Sequence, residues 1–248
     1  MDGVVKRSLW TLTIALGLVS GAAPTVAAPT TSKVLGQLPS RDAPIRPTRR
    51  AKPPSAEIRH LEAFLERGRG LSEGDKEARE ASLRWLRLAH MAWEDIQDPV
   101  DRIRTMPMAA EALFLQGEVL RDRFDEALFD NMDHLPEQVD AKMAALVDAE
   151  LLYRATMALH VNPWEARAAL HIGQMYQTFA QRFATVPFPD NIPAQYHQRL
   201  RTELLEFAKP MRHRAIDSLN RALDLALQHD NADLAAEARE RLLALERY

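Results

Sequence analysis

The sequence predicts an all-α protein of antiparallel helix pairs stacked one on the next, and three observations predict it. Alanine and leucine dominate residues 55–248, where strand signals are missing: no run of alternating Val, Ile, Thr or Tyr, and no Asn-Gly or Asp-Gly hairpin turn. Apolar residues recur three and four positions apart over long windows, the spacing that lines one face of a helix. Ser, Asp, Asn and Pro punctuate those windows where a helix needs an acceptor for its first N–H groups or tolerates a missing donor.

Ser55 opens a first helix with Ile58, Leu61 and Leu65 on one face, and the Gly68-Arg69-Gly70 turn ends it. Ser72 and Asp75 cap a second, whose stripe is Ala78, Ala81, Trp85, Leu88, Ala89, Ala92 and Ile96. Asp98 with Pro99 stops it and starts a short turn, after which Pro107 opens a third helix through Ala110, Leu113, Gly117, Leu120 and Phe124. Pro136 opens a fourth that runs to His160. In Asn162-Pro163-Trp164-Glu165, Asn162 caps, Pro163 sits first and Glu165 closes a capping box, so a fifth helix runs to about Ala184. The proline-rich connection from Val186 to Pro193 leads to a helix ending near Lys209, and Pro210 begins the next, through Ala215, Leu219, Ala222, Leu223 and Ala226. Asp230 and Asp233 cap a last amphipathic helix with Leu234, Ala238, Leu242 and Leu245. The expectation is about eight helices.

Residues 1–27 read as a secretory signal peptide: Lys6 and Arg7 precede an apolar run, Leu9 to Val19, that is short for a bilayer span and ends in small residues. Cleavage near Ala27 places Thr25 and Ala27 at the small-residue positions and exports the chain to the periplasm or beyond; retention of the segment would make it a membrane anchor. Residues 28–54 hold six prolines and read as a disordered basic linker, leaving residues 55–248 as one helical domain. Of the whole-chain charge of −3, residues 1–27 contribute +1 and residues 28–54 contribute +5, so the chain from Ser55 onward carries −9. A basic arm on an acidic body suits peripheral contact with an anionic surface, or a soluble spacer. No nucleic-acid partner is expected.

The absence of cysteine excludes a disulfide framework, a lipid-modified N-terminal thiol, a cysteine zinc site and a thiol nucleophile. None of the eight histidines forms His-Glu-x-x-His, although His160 and His171 flank the Asn162 turn and can approach each other. Asp130, Asn131, Asp133, His134, Glu137 and Asp140 lack the alternating spacing and the glycine of a calcium loop, and read as a solvated inter-helix segment. There is no Gly-x-Ser-x-Gly elbow, phosphate-binding glycine loop or dinucleotide fingerprint, so no cofactor is expected. Glu111, Glu118 and Asp122 share one helix without an evident base partner, and Trp85 and Trp93 read as core anchors.

The stretches around Gly117 and Gly173 carry the same glycine-centred pattern, each followed by an alanine-rich helix. On these residues the chain resembles the tetratricopeptide family, whose repeats pair a helix bearing a small residue at position 8 with one bearing alanines at 20 and 27. Ala169, Ile172, Gly173 and Tyr176 fit positions 4, 7, 8 and 11; Ala155, Ala158, Leu159 and Pro163 fit the second helix before them; Ala215, Leu219, Ala222 and Leu223 fit the second helix after. The sequence departs from the family pattern between the two halves of each repeat, where 41 residues separate Gly117 from Ala158 and 49 separate Gly173 from Ala222. It is similar as well to repeat proteins of bacterial cell envelopes. The resemblance implies a short, irregular TPR-like superhelix and a concave groove lined by Glu111, Phe114, Glu118, Arg121 and Asp122, and by Arg167, Leu170, Gln174, Gln177 and Thr178. It implies an exported, non-enzymatic scaffold that takes up a protein or peptide of the envelope, Phe114 and Leu170 serving as anchors. The alternatives are a helical periplasmic hydrolase or lyase acting on wall glycans, which needs a deep pocket and a carboxylate of raised pKa, and a membrane-tethered structural protein.

Overall fold

The computed structural model describes residues 55–127, 134–190 and 192–246; the expected signal segment, the linker and much of the Asp130 segment lie outside the described residues. Seven α-helices account for the fold among those residues: α1 (Ala56–Leu71), α2 (Lys76–Glu94), α3 (Pro99–Glu126), α4 (Leu135–Ala158), α5 (Trp164–Thr185), α6 (Ala194–Gln228) and α7 (Ala232–Glu246). The all-helical class is as the sequence predicts, and no strand occurs among the described residues.

Several helix starts follow the expected capping chemistry. Ser55 accepts from the Ile58 amide at 3.4 Å, and Asp75 accepts from the Ala78 amide at 2.9 Å. The N-terminus of α7 is closed by Asn231, whose Oδ1 accepts from the Leu234 amide at 3.2 Å, instead of by Asp230 or Asp233. At α5 the cap position falls on Pro163, the Asn162–Pro163 peptide is cis, and no side chain caps the helix. Glu165 turns to His160 at 3.3 Å and to Arg221 at 2.9 Å, so the expected capping box does not form.

Three boundaries differ because packing overrides punctuation. Gly68 is buried and helical: a Cβ there would lie 2.6 Å from the Leu86 side chain, and Ser82 Oγ donates to the Gly68 carbonyl at 2.7 Å. That glycine serves the approach of α2 rather than a turn, and α1 continues to Leu71. Pro107 is an interior residue of α3, which starts at Pro99 under the Asp98 cap; Asp98 Oδ1 accepts from the Val100 amide at 2.9 Å. Trp93 Nε1 donates to the Arg102 carbonyl at 3.1 Å and Thr105 is buried, so the turns before Pro107 are held by α2 and the exposed ring costs one backbone donor without ending the helix. Pro210 is likewise exposed inside the 35-residue α6, where Ala208 and Met211 keep the buried face continuous. The eighth helix expected from Pro210 is therefore the second half of α6. On α2 the inward face is Ser82, Leu83, Leu86, Ala89, Ala92 and Trp93, rotated from the expected stripe so that Leu88 is 39% exposed.

Each helix packs on the next, with the most extensive contacts within α1·α2, α3·α4 and α5·α6. The odd-numbered helices also touch in series, α1 on α3, α3 on α5 and α5 on α7. Glycine sets the spacing inside two of the pairs. A Cβ on Gly117 would lie 2.7 Å from the Tyr153 ring of α4, and one on Gly173 would lie 2.6 Å from Leu219 of α6. Ala215 and Ala222 flank the second contact fully buried, whereas Ala158, expected to complete the first, is exposed at the end of α4.

Candidate protein-binding face

Because the odd helices lie side by side, residues of α3 and α5 separated by about fifty positions meet across one face, and the ten predicted groove residues all fall on those two helices. Glu111 receives Arg69 of α1, with Nη2 at 2.5 Å and Nε at 3.0 Å. Asp122 receives Arg79 of α2 at 2.8 Å, and the same guanidinium reaches Glu126 at 3.0 Å. Glu118 lies 2.5 Å from His171 Nδ1 of α5 and accepts from the Tyr153 hydroxyl of α4. Arg121 Nη1 lies 2.9 Å from the same Nδ1. Gln174 donates to Glu237 of α7 at 2.8 Å, and Arg241 Nη1 donates to Gln177 at 3.5 Å. The predicted row is thus a set of polar ties that join α1 to α3, α3 to α5 and α5 to α7.

The two predicted apolar anchors are inside those junctions. Phe114 is 6% exposed and stacks among Tyr153, Trp164 and His171 at centroid distances of 5.6, 5.1 and 5.1 Å; Leu170 is 3% exposed. Their burial leaves the outward surface to Arg167, which is exposed over Trp164 at 5.3 Å, to the half-exposed Thr178, and to the outer edges of Glu111, Glu118, Arg121 and Asp122. Thr178 lines an open depression with Gln181, Arg182 and Thr185.

The Glu118 cluster is the most electrostatically developed part of the face. A single ring nitrogen of His171 cannot both donate to Glu118 and accept from Arg121, and the shorter contact assigns the N–H to Nδ1 with Glu118 as acceptor. Burial alone would raise the Glu118 carboxyl, but the hydrogen bond and charge of His171, the Tyr153 hydroxyl and the Arg121 charge outweigh it and hold the pKa below the usual carboxylate value. Tyr153 is pushed well above its ordinary value by burial and by the adjacent Glu118 charge. The carboxylate is therefore stabilised ionised and the phenol protonated, an arrangement that ties three helices together. His160 does not join His171; it pairs with Glu165. Among the described residues no group of three or more His, Asp or Glu is arranged to hold a metal.

Two cations that close helix ends, the buried Lys142 and the partly exposed Arg201, were not anticipated from the sequence. Lys142 of α4 donates to the carbonyls of Phe124 at 2.5 Å and Ala127 at 2.7 Å, closing the C-terminus of α3, and lies 3.9 Å over the Phe124 ring. Arg201 of α6 donates to the carbonyls of Phe183 at 3.0 Å and Val186 at 2.9 Å, closing α5. In both cases the cation follows its two acceptors by 18 and 15 residues. This repeat of a helix-end device was legible as Phe-x-x-Ala/Val followed by a distant base, a pattern with no recognised motif to draw attention to it. Burial brings the Lys142 ammonium down from 10.5 to about 8.

No protein-family model, curated protein or solved structure matches this chain.

Proposed function

We propose that the chain is an exported, non-enzymatic scaffold that binds another protein of the cell envelope along the face of its odd helices, in the manner of a short TPR-like array. The observation that carries this reading is the serial contact of α1, α3, α5 and α7, which aligns half-exposed charged and polar side chains across neighbouring rods. Rigid rods tied side to side present such a surface without reorganisation on binding, which lowers the entropic cost of association. The sequence resemblance at Gly117 and Gly173 supports it, since both glycines set close approaches within helix pairs. Glu118, a partly enclosed carboxylate of the face, is shifted in the direction of an ion-pair partner, which favours a tie over a general acid. The signal-like residues 1–27 support a periplasmic location, and no described helix is long and apolar enough to cross a membrane.

The test uses two side chains at the outer edge of the face, the exposed Arg167 and the half-exposed Thr178. Arg167→Glu and Thr178→Glu should reduce recovery of a cross-linked envelope protein by tenfold or more, as for loss of rim complementarity at an interface. Circular dichroism should be unchanged. Undiminished recovery with both variants would remove the odd-helix face from the binding site.

A further inference from the structure

Where α3 meets α5, one ring nitrogen stands between an obligate acceptor and an obligate donor. His171 Nδ1 lies 2.5 Å from Glu118 Oε1 and 2.9 Å from Arg121 Nη1. The carboxylate is held ionised and can only accept; the guanidinium is always charged and can only donate. With a proton on Nδ1 the ring serves Glu118 and opposes Arg121. Without it the ring serves Arg121 and opposes Glu118. Each displaced group has a second partner at hand: Arg121 Nε is 3.8 Å from Asp125, one turn along α3, and Glu118 also accepts from the Tyr153 hydroxyl. The ring is 18% exposed and Asp125 54%, so both ends of such an exchange meet water.

The groups facing the ring are Glu118 and Arg121 of α3 and the Tyr153 hydroxyl of α4, 3.4 Å from Nδ1. The other charged groups that reach α5 bind elsewhere on it: Arg221 and Arg214 of α6 at Glu165 and Tyr176, Glu237 and Arg241 of α7 at Gln174 and Gln177. On α5 itself Arg167 lies over Trp164, and on α3 Asp122 is paired with Arg79. Asp125 also interacts with the Lys142 charge of α4.

We infer that this junction is a proton-operated exchange: protonated at Nδ1, His171 binds Glu118 and releases Arg121 to Asp125, and loss of that proton returns Arg121 to the ring. The proton passes to water and the neutral ring keeps its N–H at Nε2. Histidine is the side chain whose ordinary titration falls between about pH 5 and 8, so the exchange answers to mild changes of pH. In acid the outer edge of α3 carries an Arg121–Asp125 pair; in base Asp125 is left to Lys142 and water. The inference does not require that the odd-helix face bind a protein.

The test is nuclear magnetic resonance of the full-length chain with isotope-labelled histidine ring nitrogens, which report the protonation of Nδ1 and Nε2 separately. The His171 signals are identified by their loss in His171→Gln or, independently, by their displacement in Arg121→Gln. In base the ring should be in the Nε2–H form, and Nδ1 should take up the proton as the pH falls. Arg121→Gln should raise the proton affinity of His171, because the cation that competes for Nδ1 is gone. Asp125→Asn should lower that affinity at least about twofold, the size of a weak direct coupling, and should have no effect once Arg121→Gln has removed the group that moves. A neutral ring in the Nδ1–H form would overturn the inference, since Arg121 would then never bond to it. Equal effects of Asp125→Asn with and without Arg121 would overturn it too, because Asp125 would then act through its field alone. So would an unchanged affinity in either single variant.

Discussion

Single residues set the close contacts and the pH response. A methyl at Gly173 would lie 2.6 Å from Leu219 Cγ and 3.2 Å from its backbone nitrogen, so the facing helix has to move. Gly173→Ala is expected to destabilise the fold by about 1–3 kcal/mol despite the better helix propensity of alanine. Gly70→Ala meets nothing within 4 Å and should raise stability by about 0.5 kcal/mol. Chemical denaturation of the two variants checks both signs. Glu118 has a folded pKa below its unfolded value, so its contribution is present above about pH 4.5 and is lost as pH falls through the folded value. Glu118→Gln should flatten the acid limb of the denaturation midpoint against pH; an unaltered limb would show that the His171 tie carries no stability. Lys142 acts in the same direction at higher pH. With a folded pKa of about 8 against 10.5, the unfolded chain binds more protons between those values, and stability rises with pH across that window. The rise should vanish in Lys142→Met, measured by midpoints at pH 7.5 and 10.

At the scale of the element, the prolines deserve the closest comparison. Pro107 and Pro210 sit within α3 and α6, exposed, each without the backbone donor that an interior helical residue supplies. Replacement by alanine should stabilise by about 1–3 kcal/mol, read as a higher unfolding temperature. A fall in stability would mean that a bend at these points is required for packing. The same prolines explain what was legible in the sequence. Helix existence, face and order follow from apolar period, so the all-α class and the pairing of Gly117 and Gly173 with a facing helix could be read directly. Proline is a local signal that does not report the tertiary anchors around it, such as Trp93 on the Arg102 carbonyl, and so α3 is expected to start too late at Pro107 and α6 to break in two at Pro210. The candidate face was legible only as positions on a helix. Whether Phe114 points to water or into a junction depends on Trp164 and His171 from the next pair, and no spacing within α3 encodes them.

For the whole molecule, nearest-neighbour stacking makes stability local. The α5·α6 pair has the most extensive interface and, among the described residues, α7 packs mainly on α6 and less on α5, so hydrogen exchange should be slowest in the buried half of α5 and fastest in α7 and the start of α1. Uniform exchange through all seven helices would contradict a modular fold. The two cation closures fasten the helices of a pair to each other. Lys142 and Arg201 bolt the C-terminal tips of α3 and α5 to the helices that follow, and Arg221 of α6 holds the opposite tip of α5 through Glu165. Prising either pair open at the end that Lys142 or Arg201 closes must strip a cation from two carbonyls at once, so each pair resists separation as a unit.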